Sequence, residues 1–172
     1  MYRWRDCPAG KPDWHFPYRA MSIGFSADTR GLVLLPVNLG GHDMRAALDT
    51  GASSTGLGRD AAMKAGFGPD TFAGDPVMNA LGVGSSLLHT ARHKFAEVTI
   101  AGEDFHDVTL SVREPAPLTG IGSAAATVDM LAGEDWLRTR RVWLSYASHR
   151  LYLVPTIAGP GTPMQTPFNS SP

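Results

Sequence analysis

The sequence predicts an all-β domain with two short helices. Three observations lead there. Its 172 residues include 19 glycines and 13 prolines, enough to punctuate many turns; charged residues are only 18% of the chain; and apolar residues alternate with polar ones in short runs. A chain of this length is expected to form one domain with a sizeable core.

The elements can be justified in order. Residues 1–30 carry Trp4, Pro8, Pro12, Trp14, Phe16, Pro17 and Tyr18 with no steady period, so they read as an irregular N-terminal arm or a connection between lobes. The folded unit is expected over 31–154. Leu35, Val37 and Leu39 alternate with Pro36 and Asn38, Gly40-Gly41 offers a tight turn, and Met44, Ala46 and Leu48 alternate on the return. This is a β-hairpin that ends at Asp49. A helix over 59–65 follows, closed by Gly66. Residues 95–100 and 108–112 are rich in β-branched side chains and form a second hairpin about the turn Ala101-Gly102-Glu103-Asp104. Residues 134–140 predict a second helix, acidic in its first turn and basic in its last. Residues 142–144 and 151–154 flank 145–150 as a third hairpin. Beyond them Pro155, Pro160, Pro163, Pro167 and Pro172 lie among glycines and serines, which predicts a disordered tail over 155–172.

Composition also excludes whole classes of function. A formal net charge of −1 supplies no field to steer nucleic acid or an anionic membrane to the surface, so neither is expected as a partner. No apolar run approaches the roughly 20 residues of a membrane span, and the two arginines near the N-terminus are not followed by an apolar segment. The expectation is a soluble protein, cytoplasmic, or periplasmic if an export segment lies upstream. The single cysteine, Cys7, excludes an internal disulfide framework and a multi-thiolate zinc site. His89 and His93 lie four apart in a segment that reads as strand, too far apart on one face to share a metal. Gly82-Val83-Gly84 lacks the third glycine and the following helix of a dinucleotide fingerprint. No metal and no cofactor are expected.

One tripeptide carries chemistry. Asp49-Thr50-Gly51 closes a strand and is followed by Ala52-Ser53-Ser54-Thr55, and about eighty residues later Met130-Leu131-Ala132-Gly133 leads into the second helix. By itself the triplet is also compatible with an Asx-type turn that needs glycine. In its setting, the stretch from Ala47 through Asp49-Thr50-Gly51 to Ser53 resembles the catalytic loop of the retropepsin-like aspartic proteases, the single-lobe relatives of pepsin. Leu131-Ala132-Gly133 is similar to that family's second signature, and Glu134-Asp135-Trp136-Leu137 to the helix entry of its bacterial members. The resemblance covers 31–154. It implies a closed β-lobe with one or two short helices and peptidase activity through Asp49, with Thr50 tying two loops together and Gly51 giving backbone access to the carboxylates. It also implies that Ala52 and a flap bearing Leu81, Gly82, Val83, Gly84 and Ser85 meet the bound peptide. From the residues alone, the segment from Met78 to Leu88 is equally an ordinary surface loop.

The chemistry needs two carboxyl groups: one ionised, to deprotonate the attacking water, and one protonated, to hydrogen-bond the scissile carbonyl. Carboxyls that share a proton titrate as a pair, the general behaviour of aspartic proteases. This sequence holds one Asp-Thr/Ser-Gly triplet. Glu103, Asp104 and Asp107 are expected on a hairpin turn, and Glu134 with Asp135 at a helix start. Trp136 and Trp143 are expected as core or interface aromatics. The second aspartate must therefore come from another copy of the chain, by two-fold symmetry, or from a second lobe. The reading is an aspartic endopeptidase acting on extended polypeptide as a homodimer or as one lobe of a longer enzyme. The alternative is a non-catalytic lobe used for dimerisation or peptide binding.

Overall fold

The computed structural model describes residues 10–24, 31–81, 87–114 and 128–155. Among the described residues ten strands fall into two sheets. Strands β2 (Leu34–Leu39), β3 (His42–Leu48), β8 (Met130–Ala132), β4 (Gly56–Gly58), β7 (Glu103–Arg113) and β6 (Leu87–Ile100) are hydrogen-bonded in that order, and β2 pairs β6 to close a six-stranded barrel. Strand β5 (Val77–Leu81) lies outside it along β6. A three-stranded sheet of β1 (Arg19–Ser22), β10 (Arg150–Pro155) and β9 (Arg140–Ser145) packs on the barrel. The expected all-β closed lobe is therefore observed, with helices among the described residues limited to α1 (Arg59–Lys64), α2 (Glu134–Leu137) and a 3-10 turn, Pro69–Phe72.

The first hairpin follows its pattern. Leu35, Val37 and Leu39 of β2 are fully or almost fully buried, as are Met44 and Ala46 of β3, because a period of two puts them on one face. Gly40 and Gly41 both take positive φ, 59° and 82°, the conformation that lets a two-residue turn match the twist of its strands. Leu34 and Ala47 on the opposite face join Val128 and Leu131 in a second, smaller apolar cluster. The main core gathers Phe95, Leu110, Ile100 and Val98 from the barrel with Trp136 of the short helix at Glu134–Leu137 and with Leu151 and Leu153 of β10, which anchor the three-stranded sheet.

Four expectations are corrected. The second hairpin turns on Ala101 and Gly102 alone, at φ 55° and 73°, while Glu103 and Asp104 already pair with Ile100 and Thr99. Ala101 accepts the left-handed conformation because its methyl is fully buried and its N–H donates to Pro36 O at 2.9 Å. Glu103 is consequently not a turn decoration. It forms an ion pair with Arg140 at 2.6 Å, both side chains almost fully buried.

The second helix ends at Leu137, because Arg140 opens β9 and turns its guanidinium back onto Trp136 O and Glu103. Burial pushes the Arg140 pKa down, and the charge and hydrogen bond of Glu103 oppose that shift. Finally, part of the expected N-terminal arm is regular: β1 pairs with β10 from Arg19↔Leu153 to Ser22↔Arg150. Ahead of it Tyr18 meets Tyr152 of β10 edge-to-face, Trp14 meets Tyr18 edge-to-face and Phe16 stacks on Trp14, a relay of rings that holds an aromatic, proline-rich stretch on the sheet. Cys7 and the expected tail from 156 onward lie outside the described residues. Among the described residues no helix is long and apolar enough to cross a membrane.

Candidate active site

Asp49 stands just past the end of β3, where that strand runs parallel to β8 with Leu48 opposite Ala132. Its N–H donates to Ala132 O at 2.9 Å, so the start of the loop is fixed to the second signature. The loop then folds tightly on itself. Gly51 N–H donates to Asp49 Oδ1 at 2.8 Å and Ala52 N–H to Asp49 O at 3.3 Å. A Cβ on Gly51 would stand 3.2 Å from Asp49 Oδ1, so glycine gives the backbone its close approach to the carboxylate. Asp49 itself is half-buried, while Thr50 and Gly51 are exposed. Ala52 is half-buried and turns its carbonyl inward to accept Glu134 N–H at 2.7 Å.

Beneath this exposed tip lies a buried brace. Thr55 and Asp135, 80 residues apart, are both buried. Thr55 donates twice to Asp135 Oδ1, from its N–H at 2.8 Å and its hydroxyl at 2.6 Å. Trp136 N–H donates to the same oxygen at 2.8 Å, and Gly133 N–H donates to Thr55 Oγ1 at 3.0 Å. A carboxylate that accepts three donors in a low-dielectric interior is a strong cross-tie. Gly133 is required for a separate reason: a Cβ there would lie 2.7 Å from Ala52 O and 2.8 Å from Ser54 O. The two signature segments are thus packed backbone to backbone.

The segment expected as a flap is a hairpin at its base. Strands β5 and β6 pair from Val77↔Ala91 to Leu81↔Leu87, and Thr90 Oγ1 donates to Met78 O at 3.1 Å. Below it His93 Nδ1 meets Asp75 Oδ2 at 2.8 Å, between the rings of Phe72 and Phe95. His89 and His93 lie on β6, and His93 is committed to Asp75. Leu81 closes the described part of the first arm. Gly82, Val83, Gly84 and Ser85 lie outside the described residues.

Trp136 is fully buried, and Trp143 is 38% exposed on β9. Among the described residues no group of three or more His, Cys, Asp or Glu side chains could hold a metal ion.

The family model for aspartyl proteases matches residues 35–136, more than half of the chain, and spans the Asp49 loop, its brace and the flap strands. The chain belongs to the aspartyl protease family. Its fold is similar to that of a retropepsin-like aspartic protease from Rickettsia conorii, with TM-score 0.51 at 18% identity, covering 78% of this chain and 98% of the other. It is less similar to the retroviral protease-like domain of Ddi1 from Leishmania major, with TM-score 0.46 at 16% identity, over 73% of this chain and 95% of that one. A comparison with curated proteins finds no significant match.

Sequence reasoning missed the brace. Asp135 reads as an ordinary acidic residue in a first helical turn and Thr55 as the end of a small polar run, and no local pattern joins them. It also passed over Arg113, at the end of β7. Burial pushes the Arg113 pKa down, and the charge of Asp49 acts against that shift.

Proposed function

We propose that this chain is one half of an endopeptidase that cuts extended polypeptides with water activated by two aspartates, Asp49 and the Asp49 of a second copy. The observation that carries this reading is the half-buried Asp49 carboxylate, held by Gly51 N–H on one oxygen at a tip that the Thr55–Asp135 brace supports from below. The sequence holds one such aspartate, and the reaction needs two carboxyls in opposite protonation states. A two-fold interface brings in the second without a new motif. In this reading the exposed Thr50 meets its counterpart at the interface, Gly51 keeps the carboxylates accessible, and Ala52 borders the peptide. The β5–β6 hairpin closes over the substrate through Leu81, Gly82, Val83, Gly84 and Ser85, which excludes water from the reacting bond. No cofactor enters the reaction.

The test is cleavage of an unfolded polypeptide at acidic pH by the wild-type chain and by Asp49→Asn, with pepstatin as inhibitor. The proposal expects pepstatin-sensitive cleavage that falls about 10³-fold in the variant. Equal degradation by both proteins would disprove the catalytic role. Absence of any cleavage, with retained dimerisation or peptide binding, would favour a non-catalytic lobe.

A further inference from the structure

Strand β7 presents two faces. Val108, Leu110 and Val112 enter the core, while Thr109, Ser111 and Arg113 alternate with them on the other side, each half-buried. Neighbouring strands align with that second face. Strand β4 places Gly56 opposite Ser111 and Gly58 opposite Arg113, and β6 places Arg92 opposite Ser111 and Thr90 opposite Arg113. Directly opposed residues share a face, so Arg92 and Arg113 rise from the same surface.

This surface borders the loop that carries Asp49. Ser111 Oγ lies 3.5 Å from Ser54 Oγ, and Ser54 is five residues beyond Asp49. The strand between them is pressed close: a Cβ on Gly56 would stand 2.5 Å from Ser111 O. Arg113 and Arg92 are the long side chains of this surface, and Arg113 feels the Asp49 charge. Among the described residues no ion pair includes Arg113 or Arg92. The adjacent acid, Glu114, is taken by Arg59 at 2.5 Å. A guanidinium partly withdrawn from water, offering five donors and lacking a paired anion, is suited to bind a carboxylate in a shielded setting.

We propose that Arg113, together with Ser54 and Ser111, forms a subsite that accepts an acidic side chain of the substrate, so that the enzyme favours chains with Glu or Asp near the scissile bond. The inference rests on the peptidase reading and names its substrate class. The anion comes from the substrate because Asp49 lies beyond ion-pair distance of Arg113 and is bonded to Gly51 N–H. Arg92 adds a second positive charge on the same face, which favours an acid and opposes lysine or arginine at that position.

The experiment uses pools of fluorogenic octapeptides in which one position at a time is fixed as Glu, Gln or Lys. The readout is the ratio of kcat/KM for the Glu pool to that for the Gln pool, taken within each protein so that losses common to all substrates cancel. The wild type is expected to favour Glu about tenfold at one position. Arg113→Lys should retain a preference for Glu, Arg113→Gln should lower the ratio several-fold to the small preference that Arg92 sustains, and Arg113→Glu should turn the preference toward Lys. A wild-type ratio near one at every position, or a Glu preference undiminished in Arg113→Gln, overturns the subsite and leaves the peptidase reading intact. If no pool is cleaved, the peptidase reading fails first, and the subsite is judged by fluorescence anisotropy of labelled Glu and Gln pools on the Asp49→Asn protein. Tighter binding of the Glu pool that Arg113→Gln diminishes supports it; equal binding overturns it.

Discussion

Thr55 and Asp49 lie six residues apart in one loop and differ in how far this single chain completes them. At Thr55 the hydroxyl and N–H both end on Asp135, that carboxylate takes a third donor from Trp136, and the whole group is buried. At Asp49 one carboxylate oxygen is held by the loop's own Gly51 N–H, and Thr50 and Gly51 face outward. The contrast separates two tasks. The brace fixes where the loop is, a requirement of folding that one chain meets alone. The tip is left open, and a polar, exposed tip around a carboxylate is what a reaction needing a second carboxylate calls for.

The largest expected effect on stability breaks the finished half. Asp135→Ala leaves Thr55 N–H, the Thr55 hydroxyl and Trp136 N–H without their shared acceptor in a buried site, and should cost about 3 kcal/mol in urea unfolding. Asp135→Asn keeps an acceptor oxygen and should cost less, which tells the hydrogen bonds apart from the packing. Next is Gly133→Ala. Its methyl would collide with backbone atoms of Ala52 and Ser54 rather than with a side chain able to swing away, and the expected loss is about 2 kcal/mol by the same measurement. Smallest is Thr50→Ala. An exposed hydroxyl at the open tip should leave monomer stability within about 0.5 kcal/mol of the wild type, while self-association, followed by sedimentation, weakens.

The parts of this molecule that were legible in the sequence are those written in consecutive residues. Leu35, Val37 and Leu39 announce a strand because a half-buried strand must alternate, and Gly40-Gly41 announces its turn because both residues need positive φ. Asp49-Thr50-Gly51 is legible because the loop closes within three residues.

What was not legible is long-range or locally ambiguous. Thr55 finds Asp135 across 80 residues, and Glu103 finds Arg140 across 37. Each of these four side chains has an ordinary local explanation that conceals its partner. The sequence pattern overstates the second helix because Arg138 and Arg140 look like a favourable last turn, whereas Arg140 satisfies Trp136 O from the next strand. Strand β1 is hidden by the prolines and aromatic residues ahead of it, and its regularity exists in its pairing with β10, more than 125 residues away. Arg113 sits on the polar side of an alternating strand, where a cation normally signifies solvent.

The central claim is that a second copy completes the open tip, and the most direct measurement combines sedimentation equilibrium with specific activity over one concentration series. The prediction is a monomer–dimer equilibrium in which cleavage per chain rises in proportion to the dimer fraction and vanishes where the monomer dominates. A chain that remains strictly monomeric over the whole series, or a monomer that cleaves as well as the dimer, would contradict it.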